Sequence, residues 1–99
     1  MMESFNQIIN GNQPVLLDFY ADWGGPCKTM APVIQEVGRQ MSGKARVLKI
    51  NVEKNQQLAY QYGIQAVPTF AIFRHGRVVW RHSGTIDKNS LVNHLRNNI

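Results

Sequence analysis

The segment from Val15 to Tyr20 constrains the fold of this chain more than any other, because it is apolar except for one carboxylate, Asp18. A continuous apolar run of strand length is typical of a central strand that is covered on both faces. Helices must then pack on either side of the sheet that contains this strand. The segment therefore predicts an α/β architecture in which Asp18 is buried.

Helices and strands are predicted to alternate around this central strand. The predicted elements are a helix capped by Ser4, the strand 15–20, a long helix from Pro26 to Gly43 with Pro32 predicting a kink, a strand over 46–52, a brief helix around Leu58, strands over 69–73 and 78–80 joined by a tight turn at His75 and Gly76, and a helix capped by Asp87. A helix between two strands allows parallel pairing, whereas a tight hairpin pairs them antiparallel. This order predicts a mixed sheet of about four strands with helices on both faces.

The length and composition are those of one globular domain. The chain has 99 residues, of which 43% are hydrophobic and 17% are charged. This composition excludes intrinsic disorder and a fibrous repeat. Because the sequence also contains no linker, repeat or low-complexity tract, we expect a single domain over residues 1–99.

The excess of basic residues, a formal net charge of +5, does not indicate nucleic-acid binding. Arg74, Arg77 and Arg81 are interleaved with apolar residues, which is typical of the solvated face of a strand. No segment approaches the roughly 18 apolar residues of a membrane span, and the first residues do not resemble a secretion signal. We expect a cytoplasmic protein with no nucleic-acid and no membrane partner.

Thiol and imidazole groups are too few and too scattered for a metal centre. Cys27 is the only cysteine, so no intramolecular disulfide and no Cys-rich zinc site can form. The histidines at 75, 82 and 94 share no ligand spacing with it. We expect no metal and no cofactor.

The segment from Trp23 to Lys28 is the first candidate for a functional site. It lies where the predicted central strand gives way to the longest helix, a position at which open α/β sheets commonly bind ligands. The unpaired N–H groups and partial positive charge of a helix N-terminus stabilise an anion such as a thiolate. Cys27 lies in the first turn of that predicted helix.

Three separate motifs resemble those of the thioredoxin family. The segment from Asp18 to Lys28 is similar to the family's active-site signature, whose usual form is Trp-Cys-Gly-Pro-Cys-Lys. Residues 66–69, Ala-Val-Pro-Thr, resemble the family's cis-proline loop, and residues 83–85, Ser-Gly-Thr, resemble the turn beside it. The resemblance runs from Phe5 to the carboxy terminus. It implies a thioredoxin-like three-layer sandwich.

The chain departs from the family pattern in two places. The family's first strand precedes the opening helix, and because only Met1 to Glu3 precede that helix here, we expect this strand to be missing and the strand at 46–52 to lie at an edge of the sheet. The second departure is in the active-site signature. Gly24 occupies the position of the family's attacking cysteine, whereas Cys27 retains the resolving cysteine.

The resemblance implies roles for the residues around Cys27. Asp18 would be the buried acid that accepts a proton from Cys27 through a raised pKa, with Lys49 nearby. Pro26 would be the residue that tunes the reduction potential. The alternative is that Asp18 and Lys49 form only a structural pair, and that Cys27 is simply a small buried apolar residue.

The resemblance also implies a shallow apolar docking face for extended segments of partner proteins. Its residues would be Trp23, Gly25, Val67, Pro68 and Gly84. We expect the Val67–Pro68 bond to be cis, an isomer that would leave the backbone of Val67 free to pair with a bound strand.

Three functions are consistent with these motifs. The first is a protein-disulfide reductase scaffold that acts on disulfide-containing proteins and is recharged by a thioredoxin-reductase-type partner. Gly24 would disable this scaffold, because dithiol exchange needs one thiolate to attack the substrate disulfide and a second thiolate to release the mixed disulfide. The second is a redox-inactive module that binds extended polypeptides. The third is a monothiol protein that forms mixed disulfides at Cys27. We expect a monomer, with a dimer through the edge strand or through Cys27 as the alternative.

Overall fold

The computed structural model describes residues 4–99 and places the central apolar segment inside a four-stranded sheet. The helices are α1 (Phe5–Ile9), α2 (Gly25–Gln40), α3 (Gln56–Gln61) and α4 (Lys88–Arg96), and the strands are β1 (Val15–Tyr20), β2 (Arg46–Asn51), β3 (Thr69–Arg74) and β4 (Arg77–Ser83). The prediction that the family's first strand is missing concerns Met1 to Glu3, which lie outside the described residues.

The sheet is mixed, as the order of elements predicts. The strand order is β2-β1-β3-β4; β1 and β2 run parallel, and the other neighbours are antiparallel. Among residues 4–99, β2 lies at an edge of the sheet. Because β1 has a strand on each side and helices on both faces, its residues are almost fully buried.

Each face of the sheet has its own apolar cluster. The cluster on the α2 and α4 side is built around Leu16, Ile34, Val37, Ile72, Leu91 and Leu95. The cluster on the α1 and α3 side is built around Ile9, Val15, Leu17, Phe19, Ala71 and Phe73. Alternate residues of β1 belong to different clusters, since successive side chains of a strand point to opposite faces. Asp18 shares the parity of Leu16 and therefore faces α2.

Local signals explain where several elements begin and turn. Ser4 and Gln7 form the predicted capping box at the start of α1. Asp87 caps α4 by accepting a hydrogen bond from the backbone N–H of Ser90 at 3.0 Å. His75 and Gly76 form the hairpin turn between β3 and β4 with positive φ angles of 53° and 80°.

Some boundaries differ from those that the sequence predicts. The helix α2 begins at Gly25 and ends at Gln40, three residues before the predicted Gly43, because the chain turns at Met41 and Gly43 has a φ of +82°. The strand β2 ends at Asn51, whose side chain accepts hydrogen bonds from the next turn. The strand β4 extends to Ser83, well beyond the predicted 78–80. Pro32 lies inside α2, and the kink there stays a prediction.

Candidate functional site

The candidate site lies between the end of β1 and the first turn of α2. The chain turns through Ala21 and Gly24, where the Gly24 N–H donates to the Ala21 carbonyl at 3.2 Å. Gly24 is the N-cap of α2, and Pro26 lies in the first turn, where a missing N–H costs no helical hydrogen bond. Trp23, on the turn, is 70% exposed. The turn therefore places an aromatic side chain on the surface beside the helix N-terminus.

Cys27 is a free cysteine in the first turn of α2, and it is only 9% exposed. A small cavity of about 140 Å³ lies beside it. The cavity is lined by Tyr20, Ala21, Asp22, Cys27, Lys28, Ala31 and Lys49. The thiol thus borders a cavity that includes the ammonium-bearing side chain of Lys49, while the residue itself remains largely buried.

Gly24 stands directly over the thiol of Cys27. A Cβ atom built on Gly24 would lie 3.1 Å from the Cys27 Sγ and 3.6 Å from the Cys27 Cβ. In a disulfide the two Cβ atoms are separated by about 3.5–4.5 Å. The backbone at positions 24 and 27 is therefore spaced as in a disulfide-bonded pair, although glycine at position 24 has no sulfur.

Asp18 is buried on the face of the sheet that packs against α2. It is 3% exposed, and its Oδ1 atom has no hydrogen-bond partner among the described residues. Burial raises the pKa of Asp18 to about 6, because desolvation disfavours the carboxylate, while the charge of Lys49 acts in the opposite direction. The raised pKa that the resemblance implied for this acid follows from the structure.

Lys49 is the register partner of Asp18 across the parallel strands β1 and β2. Its side chain is exposed, and its ammonium lies 4.5 Å from the centre of the Tyr20 ring. A cation over an aromatic face gains electrostatic stabilisation from the ring. Lys49 therefore influences Asp18 through its charge while its ammonium is held near the surface.

The proline loop lies at the start of β3. The Val67–Pro68 bond is cis. The Gly84 N–H donates to the Pro68 carbonyl at 2.8 Å, and the Thr69 hydroxyl donates to the Ala66 carbonyl at 2.7 Å. These bonds join the two distant motifs at residues 66–69 and 83–85 into one structure.

The predicted docking residues are brought together in part. Trp23 and Val67 line one cavity of about 170 Å³, together with Val52, Ile64, Gln65 and Ala66. Pro68 and Gly84 are hydrogen-bonded to each other, but they and Gly25 are not among the residues that line this cavity. The cavity is mostly apolar, as a surface for side chains of an extended segment requires.

Asn51 supports the site, and the sequence analysis did not identify it. This residue is 7% exposed; its amide donates to an Asp22 carboxylate oxygen at 3.3 Å and its side-chain oxygen accepts from the Glu53 and Lys54 N–H groups at 2.9 and 3.1 Å. These bonds tie the turn that carries Trp23 to the end of β2. The available signal was a turn-forming asparagine immediately after an apolar strand.

None of the three histidines lines the cavity beside Cys27. His75 is in the hairpin turn, while His82 and His94 stack on the Trp80 ring with centroid distances of 6.0 and 4.5 Å. No group of three or more acidic, histidine or cysteine side chains suited to a metal ion occurs in residues 4–99. Within the same range, no helix is long and apolar enough to cross a membrane.

The sheet is mixed, has four strands and lies between helices; a cysteine lies in the first turn of the helix that follows the central strand β1, and a cis-proline loop precedes β3. These features define a protein of the thioredoxin fold. The sequence pattern of the Thioredoxin family matches residues 1–97. This chain belongs to the thioredoxin family.

Individual relatives agree with this assignment. The chain is 38% identical to a thioredoxin from Haemophilus influenzae over 92 residues, which cover 93% of this chain and 86% of the relative. It is 42% identical to thioredoxin 1 from a Nostoc species over 85 residues, covering 86% and 79%. A mutant thioredoxin from Halobacterium salinarum superposes with a TM-score of 0.86 at 36% identity, covering 94% of this chain and 80% of that one. The germline-specific thioredoxin Deadhead from Drosophila melanogaster superposes with a TM-score of 0.83 at 36% identity, covering 91% and 85%.

Proposed function

We propose that this chain is a thioredoxin scaffold for thiol–disulfide exchange with protein disulfides, and that Gly24 prevents it from completing the dithiol cycle. Membership of the thioredoxin family supports the first part. The placement of Gly24 over Cys27 carries the second, because a Cβ on Gly24 would have the spacing of a disulfide partner. Protein disulfides are then the substrate class, and a reductase-type partner would recharge a complete pair.

The chemistry identifies what is missing. In a dithiol cycle, a thiolate at position 24 attacks a substrate disulfide, forms a mixed disulfide and releases one substrate thiolate, which takes up a proton. The thiolate of Cys27 then attacks the sulfur at position 24, which releases the second substrate thiol and leaves an oxidised pair. Glycine has no sulfur, so position 24 can neither attack the substrate disulfide nor be attacked by Cys27. Cys27 alone can form a mixed disulfide but has no second thiol to resolve it.

Asp18 is the proton acceptor in this scheme. Its carboxyl is buried on the face that packs against α2, and its pKa is raised to about 6 by desolvation. A carboxyl with this pKa is mostly ionised at pH 7, so it can accept a proton from a thiol. Because its pKa is raised, it binds that proton more strongly than an exposed carboxylate would. With Gly24 in place, this proton transfer would serve only the reactions of Cys27.

The experiment compares this chain with its Gly24→Cys variant in the reduction of insulin by dithiothreitol. We expect this chain to stay at the rate of dithiothreitol alone and the variant to accelerate the reduction. The matched control is Gly25→Cys, which adds a thiol one residue away where a Cβ meets nothing within 4 Å. If Gly24→Cys stayed at the rate of dithiothreitol alone, or if Gly25→Cys accelerated the reduction as much as Gly24→Cys does, the proposal of a disabled disulfide reductase would be wrong.

A redox-inactive binding module is the second candidate. The exposed Trp23 and the apolar cavity that it forms with Val67 favour this function, since neither feature needs a thiol. If this candidate were correct, extended peptides would bind at Trp23 equally well in this chain and in Cys27→Ala, and Gly24→Cys would remain slow. A third candidate, mixed disulfides at Cys27, would be recognised by an adduct of defined mass that Cys27→Ala abolishes.

A further inference from the structure

Asn10 is followed by Gly11, and it is the only asparagine in the sequence that precedes a glycine. The backbone nitrogen of a residue can attack the side-chain amide of a preceding asparagine, which closes a five-membered ring. A side chain on the attacking residue hinders this approach, and glycine has none. Residues 10 and 11 therefore have the covalent structure that most favours ring closure at an asparagine.

Asn10 lies at the end of the short helix α1, as its C-cap residue. A helix of five residues is not stable by itself. The Gly11 N–H donates to the Ile8 carbonyl over a long 3.3 Å, and the side-chain amide of Asn10 donates to the Asn6 carbonyl at 2.8 Å. Both bonds belong to the last turn of the helix, which opens more readily than the sheet. Fraying of this turn frees the Gly11 nitrogen and the Asn10 side chain to react while the core stays folded.

Two other asparagines provide comparisons within the same chain. Asn12 lies in the loop after α1 and is followed by Gln13, so the attacking nitrogen there belongs to a residue with a side chain. Asn93 precedes His94 inside the nine-residue helix α4, which packs on the core through its apolar side. The first lacks the glycine and the second lacks both the glycine and a fraying helix end. Both should react more slowly than Asn10.

We propose that Asn10 is a site of spontaneous deamidation in the folded protein, and that this modification loosens the joint between α1 and the β3–β4 hairpin. The Gly11 nitrogen loses its proton and bonds to the Asn10 Cγ, and the Cγ–Nδ2 bond breaks to release ammonia. Water then adds to one of the two carbonyl carbons of the resulting succinimide and opens the ring. The product at position 10 is aspartate or, where the chain continues through the side-chain carbonyl, isoaspartate.

The joint is built by contacts on both sides of Asn10. The Gly76 N–H donates to the Ile9 carbonyl at 2.9 Å, and the Arg74 guanidinium donates to the Asn12 carbonyl at 2.5 Å. The Asn10 Oδ1 lies close to Gly76, since a Cβ on Gly76 would be only 2.5 Å from it. The segment that contains Asn10 thus ties the hairpin turn to the end of α1.

Both products weaken this joint. Aspartate has no N–H to donate to the Asn6 carbonyl, and its negative charge at the C-terminal end of a helix is opposed by the helix dipole. Isoaspartate adds a methylene group to the backbone beside Gly11, which displaces the Ile9 carbonyl from the Gly76 N–H. We expect Asn10→Asp, which reproduces the first product, to lower the Tm by about 5 °C.

The test incubates the full chain at neutral pH and physiological temperature. Tandem mass spectrometry of its proteolytic peptides locates the mass gain of about 1 Da at each asparagine. Labelling by an isoaspartyl methyltransferase then counts the isoaspartate. We expect Asn10 to convert at least about tenfold faster than Asn12 and Asn93. The rate should rise with pH, because the deprotonated backbone nitrogen is the nucleophile.

The matched variant is Gly11→Ala. Its Cβ would lie 3.4 Å from the Ile8 carbonyl oxygen, an ordinary contact, so this variant should fold. The added methyl group should slow the conversion of Asn10 by about tenfold. The control is Gly38→Ala, the same substitution within α2, where a Cβ would lie 3.8 Å from the Val47 Cβ. It should leave the rate at Asn10 unchanged.

Three results would overturn the site. The first is conversion of Asn10 in the folded chain that is no faster than that of Asn12, a comparison that needs no variant. The second is an equal rate in Gly11→Ala. The third is conversion of Asn10 only after the chain has been unfolded by urea, since the reaction would then require loss of the whole fold. Separately, an Asn10→Asp variant as stable as the unmodified chain would contradict the loosening of the joint.

Discussion

Asp18 and Lys49 occupy opposed positions on the parallel strands β1 and β2, yet the carboxyl is buried and the ammonium lies near the surface over the Tyr20 ring. The two residues share a face of the sheet, and the charge of Lys49 lowers the pKa of Asp18. Desolvation of Asp18 is the larger effect, so its pKa is nevertheless raised to about 6. This balance makes Asp18 the main source of pH dependence that we expect at the site.

The Asp18→Asn variant should remove a pH-dependent loss of stability. The folded-state pKa of Asp18 is about 6, whereas its reference value is 3.8, so the folded protein holds the proton more tightly than the unfolded chain does. The resulting stabilisation is fully present below pH 3.8 and is lost as the pH rises through about 6. By linkage, a shift of this size corresponds to about 3 kcal/mol in the free energy of unfolding. Urea unfolding at a series of pH values would measure this slope.

The control for Asp18→Asn is Asp22→Asn, because this substitution also removes one carboxylate near the site. The attribution to Asp18 would be contradicted if Asp18→Asn kept the full decline in stability between pH 4 and pH 6.

Lys49→Gln should raise the pKa of Asp18 further. The positive charge of Lys49 favours the carboxylate form, and its removal leaves desolvation without this opposition. The titration of the ¹³C-labelled Asp18 carboxyl by NMR measures the change directly. The control Lys54→Gln removes a cation from a different surface and should leave the midpoint of the Asp18 titration unchanged. An unchanged midpoint in Lys49→Gln would mean that solvent screens the pair completely.

Gly24→Cys should form an intramolecular disulfide with Cys27 without rearrangement of the backbone. The Cβ–Cβ distance available to it is 3.6 Å, within the range of disulfides. Closing so short a loop should make the oxidised variant more stable than the reduced variant by about 2 kcal/mol on the chain-entropy scale. Mass spectrometry with a thiol-alkylating reagent and thermal unfolding in both redox states check the bond and its effect. An oxidised variant less stable than the reduced one would show that the spacing is strained.

The turn between β3 and β4 should respond in opposite directions to two substitutions. His75→Asn should stabilise the protein by about 0.5 kcal/mol, because asparagine tolerates a positive φ better than histidine does. Gly76→Ala should destabilise it, since φ is +80° there and a Cβ would lie 2.5 Å from the Asn10 Oδ1. Thermal unfolding of both variants measures the effects. Equal effects of the same sign would contradict the turn geometry.

Much of the fold could be predicted because its signals are local. The apolar run at β1, the capping residues Ser4 and Asp87, and the His75–Gly76 turn each act within a few residues, and the structure has each of them in its predicted place. The ends of α2 and β4 were less predictable. The helix α2 stops at the turn that leads to Gly43, and the end of β4 depends on its pairing with β3, which exists only once the two strands have come together.

The family motifs in the sequence identified the residues of the candidate site but not their arrangement. The amino-acid sequence by itself determined that there is one thiol and that Gly24 precedes it by three residues, and it predicted that this thiol lies in the first turn of the longest helix. The tertiary structure decided that Gly24 lies within disulfide spacing of Cys27, that Gly84 hydrogen-bonds to Pro68, and that Asn51 holds the turn of Asp22. The physical reason is that residue identity and helix initiation are local properties of the chain. Desolvation of Asp18 and contacts between distant segments exist only after the sheet and helices have packed together.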